Sequence, residues 1–460
     1  MGSPERSGAR FAGERAVVVG AGVAGRAAAE VLAREGAEVR ITEARAAAEL
    51  EALDDLEALD VTVLAGGHEP EHLDGATLVV TGPGVPPSAE VLGWARERGV
   101  RVWGEMELGA RLCDVPYIAV TGTNGKSTTT GMITSCLRSG GIDAVACGNI
   151  GNPFTTAALE AHEALVVECS SFQLELQESL HPRVSVLLNL APDHLDRHGS
   201  IEAYAKAKAK VFARQTADDT HVGSLDDPGA AAVSAAAPCP VVWTTTRQPE
   251  PGQVGLFGEE LVSTLGADPE VLGSLPGRPP GYRADAAAAA AAAISFGVDA
   301  SAVRAGLASF TPAPHRGETV ATVEGVPFID DSKATNVHAA LAAIDGVRDA
   351  VLIAGGIAKG VDLSPLATRA GHLLGVIAIG EAAPDLVRIF NGLVPVIEAD
   401  SIEGAVREAF DRARTEGGGP VLLAPACASW DQHRDYVERG ERFAATAREL
   451  ATEVGTSDRA

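Results

Sequence analysis

The chain has 460 residues, of which 46% are apolar and only 4% are aromatic. One hydrophobic core rarely extends over so many residues, so we expect about three domains with cores built from Ala, Val and Leu. The 62 acidic residues outnumber the 37 basic ones, and the net charge of −25 argues against nucleic acid or an anionic membrane as a general partner.

The sequence lacks the patterns of an exported or membrane protein. No N-terminal stretch pairs a basic start with an apolar core, so we predict no signal peptide. The longest stretch of low polarity, 284–296, is mostly alanine and too short to span a bilayer, so we predict a packed helix there. The six cysteines form no CxxC pair, which is typical of a reducing compartment. We therefore expect a cytoplasmic protein without membrane insertion.

Residues 1–107 are predicted to form a small α/β domain, in which the polar segment 1–13 is disordered. A buried strand at 15–19 leads into the turn GAGVAG (20–25) and an alanine-rich helix, and the next strand ends at Glu43. This is the pattern of dinucleotide-binding folds. Alone it is weak evidence, because any nucleotide diphosphate can occupy such a turn.

The segment YIAVTGTNGKST (117–128) organises the part of the chain from 108 to 310. An apolar strand runs into a glycine-bracketed turn, and Lys126 opens a helix. Glycines let the backbone approach a ligand, and the amides and the helix N-terminus favour a polyphosphate. Lys126 adds positive charge, and a hydroxyl of Ser127 or Thr128 could hold Mg²⁺. The predicted phosphate-binding residues are Gly122, Thr123, Asn124, Gly125, Lys126, Ser127 and Thr128.

Two later strands of this part end in polar residues. The strand at 164–168 ends at Glu168, and the strand at 184–190 runs into a segment that carries His194. In an open parallel sheet the C-terminal ends of the strands line the ligand crevice. We therefore expect Glu168 and His194 at a ligand site.

Residues 311–460 are predicted to form a third α/β unit. It contains a strand and polar turn, FIDDSKATN (328–336), and further strands at 350–356, 375–380 and 420–424. Because strands and helices alternate along the whole chain, we expect parallel sheets with right-handed crossovers. We interpret the three parts as three unrelated α/β sheets.

Six motifs follow one another in an order that identifies a family. They are GTNGKST (122–128), GNIG (148–151), ECSSFQLE (168–175), DHLDRHGS (193–200), DDSKATN (330–336) and PACASWDQ (425–432). Over residues 15–448 the chain resembles the Mur ligases, and it is most similar to the members that add D-glutamate to UDP-N-acetylmuramoyl-L-alanine in peptidoglycan synthesis.

We expect a monomer, and the resemblance implies three domains. These are a Rossmann-like N-terminal domain (1–107) for the UDP-sugar, a central P-loop-type ATPase domain with a parallel sheet (108–310), and a C-terminal Rossmann-like α/β domain (311–460) for part of the ATP and the amino acid.

The resemblance also implies a reaction that needs ATP and Mg²⁺. The γ-phosphoryl group passes to the alanyl carboxylate, and the amine of glutamate attacks the resulting acyl phosphate. Because two anions must meet in the first step, positioning and cations supply most of the catalysis. Lys126 would stabilise the transferred group.

Metal-binding and catalytic residues are implied as well. Glu168 and His194 match metal ligands of the family, and Lys208 aligns with a lysine that is carbamylated there and so becomes an oxygen ligand. With Lys126 these are the expected catalytic residues, and Ser127 joins the three ligands at Mg²⁺. Lysines also stand at 206 and 210, and we expect at least two of these three lysines on a solvated helix face.

The remaining matches concern the substrates. Arg316 and Asp331 match ATP contacts, and a lysine with hydroxyl neighbours suits the side-chain carboxylate of a diacid rather than a diamine. The residues matched to substrate binding are Gly22, Val23, Ala24, Glu43 and Arg45 for the UDP substrate, Asn149 and Ser170 in the central domain, and Thr335, Lys359 and Ser429 with the aromatic Tyr436 for D-glutamate.

Other readings of the chain stay open. The family has a His-Asn pair that contacts adenine, whereas this chain has PPGYRAD (279–285) at that place. Tyr282 is a candidate to stack on the adenine instead. A divergent Mur-type ligase, or a folate-type polyglutamate ligase, would use another amino acid or acceptor. A dinucleotide-dependent oxidoreductase would explain the glycine turn and acidic residue of segment 15–45, but it would not explain the motifs GTNGKST and DDSKATN. A nucleotide-binding protein without catalysis is the third class.

Overall fold

The computed structural model describes residues 9–50 and 54–457, and these contain three separate β-sheets of five, nine and six strands. The chain divides into two compact units. The first runs to Leu190 and also contains Glu202–Ser274 and Asp285–Phe310, and the second contains Ala191–Ile201, Leu275–Ala284 and the chain from Thr311 onward. The predicted α/β class with three sheets is confirmed.

The first sheet is entirely parallel, with the strand order β3-β2-β1-β4-β5. Its strands are β1 (Arg15–Val19), β2 (Glu38–Glu43), β3 (Thr62–Ala65), β4 (Leu78–Thr81) and β5 (Arg101–Gly104). Its helices are α1 (Val23–Arg34), α2 (Asp54–Glu57), α3 (Glu90–Glu97) and α4 (Glu105–Leu112). The strand order reverses between β1 and β4, and ligands of such sheets bind outside the carboxyl ends at this point.

The N-terminal segment differs in part from its prediction. Residues 1–8 lie outside the described residues. The segment 9–13 is ordered, because the Phe11 amide donates to the Glu35 carbonyl at 2.9 Å and the Phe11 ring packs edge-on against Trp103 at a centroid distance of 6.3 Å.

The second sheet, also in the first unit, has the order β14-β13-β12-β11-β10-β9-β6-β8-β7. Its strands are β6 (Tyr117–Thr121), β7 (Ala144–Gly148), β8 (Ala164–Glu168), β9 (Val184–Leu187), β10 (Thr220–Ser224), β11 (Val241–Thr244), β12 (Gln253–Phe257), β13 (Glu260–Ser263) and β14 (Glu270–Ser274). Because β6 lies between β8 and β9, the loops after these three strands meet at one edge.

The second sheet reaches nine strands because an antiparallel extension is added at one edge. The alternation of strands and helices in the sequence did not predict this extension. The strands β12, β13 and β14 pair antiparallel, whereas the rest of this sheet is parallel. Only two residues separate β12 from β13, and a hairpin needs no helix between its strands.

The helices that follow in sequence include the predicted alanine-rich one. They are α5 (Lys126–Ser139), α6 (Phe154–Ala157), α7 (Ser171–Glu175), α8 (Leu195–His198), α9 (Ile201–Ala209), α10 (Pro228–Ser234), α11 (Pro280–Phe296) and α12 (Ala300–Ser309). All residues of α11 from Ala286 to Ala293 are buried, so this helix is packed on every side as expected.

The third sheet lies in the second unit and has the order β15-β16-β20-β17-β18-β19. Its strands are β15 (Glu318–Val323), β16 (Val326–Asp330), β17 (Ala350–Gly355), β18 (Leu373–Ile379), β19 (Val396–Ala399) and β20 (Val421–Leu423). Its helices are α13 (Val337–Asp345), α14 (Ala383–Phe390), α15 (Ile402–Thr415) and α16 (Tyr436–Ser457). Only β15 is antiparallel, so the loops after β16, β17 and β20 emerge side by side.

Short 3₁₀ turns complete the backbone at Ala47–Glu49, Pro70–Leu73, Lys210–Phe212 and Ser364–His372. Within the described ranges, no helix has both the length and the apolar character that crossing a membrane requires.

Candidate active site

The predicted phosphate loop connects β6 to α5 through two glycines in unusual conformations. Gly125 has a φ of 84°, in the left-handed region that favours glycine, and a Cβ on Gly122 would lie 2.9 Å from Leu188 Cβ. Asn189 fixes the loop, since its carbonyl accepts from the Thr123 amide at 3.0 Å and its Oδ1 from the Asn124 amide at 2.9 Å. The 14-residue helix α5 then begins at Lys126, and the N-terminus of a helix favours an anion.

Two lysine side chains converge on this loop. Lys126 Nζ donates to the carbonyls of Gly122 at 2.9 Å and Thr123 at 2.8 Å. Lys208, which is fully buried, donates to the same Gly122 carbonyl at 2.7 Å, and its Nζ lies 4.6 Å from the ring centroid of Tyr204. The loop therefore already holds two ammonium groups, as a site for phosphate requires.

The three alternating lysines differ from one another more than predicted. Lys206 is exposed, Lys208 is buried, and Lys210 is half-buried and donates to the carbonyls of Glu175 and Gln177 at the end of α7. Burial also lowers the pKa of Lys210. The expectation that at least two of them face solvent is therefore wrong.

Glu168 is the last residue of β8 and is 2% exposed. Its Oε1 accepts a hydrogen bond from Asn149 Nδ2 at 2.8 Å, whereas its Oε2 is buried and has no hydrogen-bond partner among the described residues. A buried carboxylate oxygen without a partner is costly unless a cation is supplied. Since Mg²⁺ prefers oxygen ligands, Glu168 fits the metal that the resemblance implies.

Ser170, which was predicted, and Asp285, which was not, have structural partners in this region. Ser170 is the N-cap of α7 and its Oγ accepts from the Gln173 amide at 3.2 Å. Asp285 places its carboxyl group against Gly125. Among the described residues, no group of three or more His, Cys, Asp and Glu side chains forms a metal-binding cluster, so ligands of other kinds, such as a hydroxyl, water or phosphate, would have to complete the coordination of a cation here.

The glycine turn after β1 is braced by Glu43, which is 5% exposed. Its Oε2 accepts from the Ala21 amide at 2.7 Å and from Arg45 Nη2 at 3.0 Å, and its Oε1 accepts from the Arg45 amide at 2.9 Å. Hydrogen bonds from Arg45 lower the pKa of Glu43 to about 2. An acid that is already so engaged positions the turn and Arg45, which disfavours its use as the ribose acceptor of a dinucleotide site.

Val23, in contrast, is 75% exposed at the start of α1, between Gly22 and Ala24. The predicted residues of the first turn are thus accessible at the carboxyl edge of this sheet.

The second unit brings the predicted ATP contacts Arg316 and Asp331 together. Burial raises the pKa of Asp331 to about 7, the Arg316 guanidinium opposes this shift, and the neighbouring Asp330 adds to it. Asp330 itself contacts His315 Nδ1 at 2.6 Å. Tyr436 covers the same turn, with Lys333 Nζ 3.8 Å from its ring centroid.

Arg439 is a further residue of this site that the sequence did not single out. It is 1% exposed, and its Nη2 donates to the Ser332 carbonyl at 2.9 Å while its Nη1 reaches the Cys427 carbonyl at 3.3 Å. It thereby joins the loops after β16 and β20. Its position four residues before Phe443 places it on the buried face of α16, and a charged residue on an apolar stripe was the available signal.

The residues predicted to bind the substrate D-glutamate lie in the loops after β16, β17 and β20. Ser429 is 2% exposed in the loop after β20, and Thr335 is half-buried in the loop after β16. Lys359 follows β17, and its Nζ forms an ion pair with Asp193 Oδ1 at 2.9 Å. Asp193 was not predicted, although it directly precedes His194 in a motif that was.

Backbone strain marks this edge of the third sheet. Lys359 in the loop after β17 has a φ of 54°, and Ala426 in the loop after β20 has a φ of 60°. Two histidines of the second unit that lie outside these loops, His194 at 52° and His315 at 64°, have the same left-handed backbone. Left-handed backbone at such residues costs of order 1–3 kcal/mol and is found mainly at functional sites.

The predicted site residues therefore fall into two groups. The first unit holds the phosphate loop, Glu168, Lys208, Asn149, Ser170 and the glycine turn, and the second holds His194 and the residues from Arg316 to Tyr436. Tyr282, proposed to stack on adenine, lies in the second unit with Arg278 packed 4.6 Å over its ring.

Comparison with known proteins identifies related sequences and folds. A family model described as the Mur ligase middle domain matches residues 120–256, and one described as the Mur ligase MurD-like N-terminal domain matches 14–104. A UDP-N-acetylmuramoylalanine–D-glutamate ligase from Thermobifida fusca is 41% identical over 95% of this chain and 99% of its own length. A ligase of the same name from Anaeromyxobacter dehalogenans is 42% identical over 98% of this chain and 99% of its own.

Solved structures resemble the fold. A UDP-N-acetylmuramate–alanine ligase from Thermotoga maritima aligns with a TM-score of 0.59 at 18% identity, over 95% of this chain and 99% of that one. A MurF ligase from the same organism, in complex with ADP, gives 0.60 at 17% identity over 97% of both chains. With relatives of about 40% identity over nearly its whole length, the chain belongs to the Mur ligase family.

Proposed function

We propose that this protein is an ATP-dependent ligase that joins the carboxylate of UDP-N-acetylmuramoyl-L-alanine to the amino group of D-glutamate, as a step of peptidoglycan precursor synthesis in the cytoplasm. The observation that carries the proposal is the identity of about 40%, over at least 95% of the chain, with ligases named for this reaction. Six free cysteines suit a reducing compartment.

Lys126 has the central role in the first step. The alanyl carboxylate attacks the γ-phosphorus of ATP, the bond to the β-phosphate oxygen breaks, and ADP leaves. Lys126 Nζ, which now donates to two loop carbonyls, would turn to the transferred phosphoryl group and balance its charge. Arg316 and Asp331 are the proposed ATP contacts of the third sheet.

Mg²⁺ would neutralise phosphate charge in this step. Its proposed ligands are Glu168, Ser127, His194 and Lys208, the last after carbamylation. The unpaired buried oxygen of Glu168 supports this assignment.

The second step forms the amide. The glutamate nitrogen attacks the acyl carbon, phosphate leaves, and the nitrogen gives up a proton. Lys359, Thr335 and Ser429 would hold the carboxylates of glutamate beside Tyr436, because a lysine and hydroxyl groups match a small diacid. The UDP part would lie at Gly22, Val23, Ala24 and Arg45, with Glu43 bracing the turn, and Asn149 and Ser170 would contact the same substrate.

The proposed domain limits are 1–107, 108–310 and 311–460, and the proposed state is a monomer. A dinucleotide-dependent oxidoreductase gains no support, since Glu43 is already engaged by Arg45 and the turn.

A phosphate-release assay tests the function directly. Purified protein should release phosphate only when ATP, Mg²⁺, the muramoyl-alanine nucleotide and glutamate are all present. A panel of D- and L-amino acids, including a diamine and aspartate, then defines the acceptor. Phosphate release that is indifferent to glutamate, or a faster rate with a diamine, would refute the proposal.

A further inference from the structure

We propose that Asp193 is a positioning residue for Lys359, which it holds in the orientation that binds the carboxylate of the incoming amino acid. The inference rests on the proposed function, because Lys359 is the residue assigned there to a carboxylate of glutamate. Asp193 itself is assigned no contact with a substrate.

The first argument is the ion pair itself. Lys359 Nζ lies 2.9 Å from Asp193 Oδ1, and each of the two side chains is only 9% exposed. Among the described residues, Asp193 is the one group within hydrogen-bonding distance of this ammonium. An ammonium has three N–H donors, so two remain for the carboxylate of a ligand.

Asp193 is in turn fixed by its own partners. Its Oδ2 accepts from Asn336 Nδ2 at 3.3 Å, and its Oδ1 accepts from the His194 amide at 3.0 Å. Asn336 is the N-cap of α13, where its Oδ1 accepts from the Ala339 amide at 2.9 Å. The carboxylate is thereby tied to the start of a helix and transmits that fixed position to Lys359.

The backbone supports the same reading. Lys359 has a φ of 54°, and His194, the residue after Asp193, has a φ of 52°. A left-handed residue that other contacts must hold in place therefore stands at one partner of the ion pair and directly after the other. A lysine side chain loses rotamer entropy when it is ordered, and a partner that orders it in advance removes this cost from ligand binding.

A pair of aspartate variants tests the proposal by kinetics. Asp193→Asn should raise KM for D-glutamate by roughly tenfold or more, because Lys359 loses its fixed orientation, while KM for ATP and for the UDP substrate stays within about twofold. Asp193→Glu keeps the charge and should recover part of the loss. The matched control is Asp196→Asn, the same change on an exposed residue three positions later.

A second readout does not depend on turnover. The sequence has six lysines, at 126, 206, 208, 210, 333 and 359, so limited reaction with an amine reagent followed by mass spectrometry resolves each one. Lys359 should react faster in Asp193→Asn than in the wild type or in Asp196→Asn, and the exposed Lys206 serves as the internal reference.

Three results would overturn the proposal. They are an unchanged KM for glutamate in Asp193→Asn, an equal rise of all three KM values, and an unchanged labelling rate of Lys359. If the wild-type protein does not turn over glutamate at all, the proposed function fails, and the labelling rate alone then decides whether Asp193 holds Lys359.

Discussion

Replacement of Gly125 by alanine tests the phosphate loop at its most constrained point. Gly125 has a φ of 84°, and an added Cβ would lie 2.8 Å from Asp285 Cγ and 3.0 Å from Asp285 Oδ2. Real Cβ contacts essentially never fall below 3.0 Å, so the loop or the carboxyl group must move. Asp285 is 8% exposed within α11, which leaves it little room.

Two separable costs follow from this geometry. Left-handed backbone costs a residue with a Cβ about 1–2 kcal/mol, and overpacking adds about 1–3 kcal/mol, so Gly125→Ala should lower the free energy of unfolding by roughly 2–5 kcal/mol. Asp285→Ala removes the steric part only. The double variant should therefore be more stable than the sum of the single changes by about 1–3 kcal/mol.

Chemical unfolding of the four proteins measures this coupling, and binding of a non-hydrolysable ATP analogue measures its effect on the site. Gly141→Ala is the control for backbone strain alone, because Gly141 has a φ of 81° and an added Cβ there meets no atom within 4 Å. Additivity within about 0.5 kcal/mol would show that Asp285 does not pack against Gly125. Analogue binding unchanged by Gly125→Ala would refute the phosphate site.

Two further predictions concern buried titratable groups. Glu168→Gln should lower kcat at least roughly a hundredfold and raise the Mg²⁺ concentration that gives the half-maximal rate, because an amide oxygen is a weaker ligand for a hard cation. An unchanged dependence of the rate on Mg²⁺ would contradict this prediction. His221 is fully buried between the hydroxyls of Ser185 at 2.6 Å and Ser234 at 2.9 Å, and burial lowers its pKa to about 3. In the unfolded chain the imidazole takes up a proton below about pH 6.5, whereas in the folded protein it stays neutral down to about pH 3. The free energy of unfolding is therefore unaffected by the titration of this group above pH 6.5 and falls as the pH is lowered from 6.5 to 3, by roughly 5 kcal/mol in all. His221→Gln should flatten the dependence of the unfolding midpoint on pH between 7.5 and 3.5, and a wild-type and variant difference that is constant with pH would refute the assignment.

The long buried strands were predictable because their apolar runs are continuous. The predicted strands at 15–19 and 164–168 coincide with β1 and β8. The short strands β5, β7 and β19 were missed, since four or five residues with partial exposure carry little periodicity. Antiparallel β13 and β14 were missed because their connections, of two residues from β12 to β13 and six residues from β13 to β14, contain no helix, and the prediction relied on alternating strands and helices.

Site residues that belong to a local sequence pattern could also be predicted. The phosphate loop is contiguous, and Glu168 ends a strand whose pattern is clear. Asp193 and Arg439 were not predicted, because Lys359 lies 166 positions from Asp193, and Ser332, one of the two residues that Arg439 joins, lies 107 positions from Arg439. Pairing over such separations is set by which strands neighbour one another, and local patterns do not contain it.

The chain passes from one compact unit to the other five times, after Leu190, Ile201, Ser274, Ala284 and Phe310. A gene fragment that starts at Thr311 would consequently lack the carboxylate that neutralises Lys359, together with ten residues from 275 to 284. Dissection of this enzyme into separately expressed halves would have to graft both short segments onto the C-terminal piece before its ligand binding could be compared with that of the intact chain.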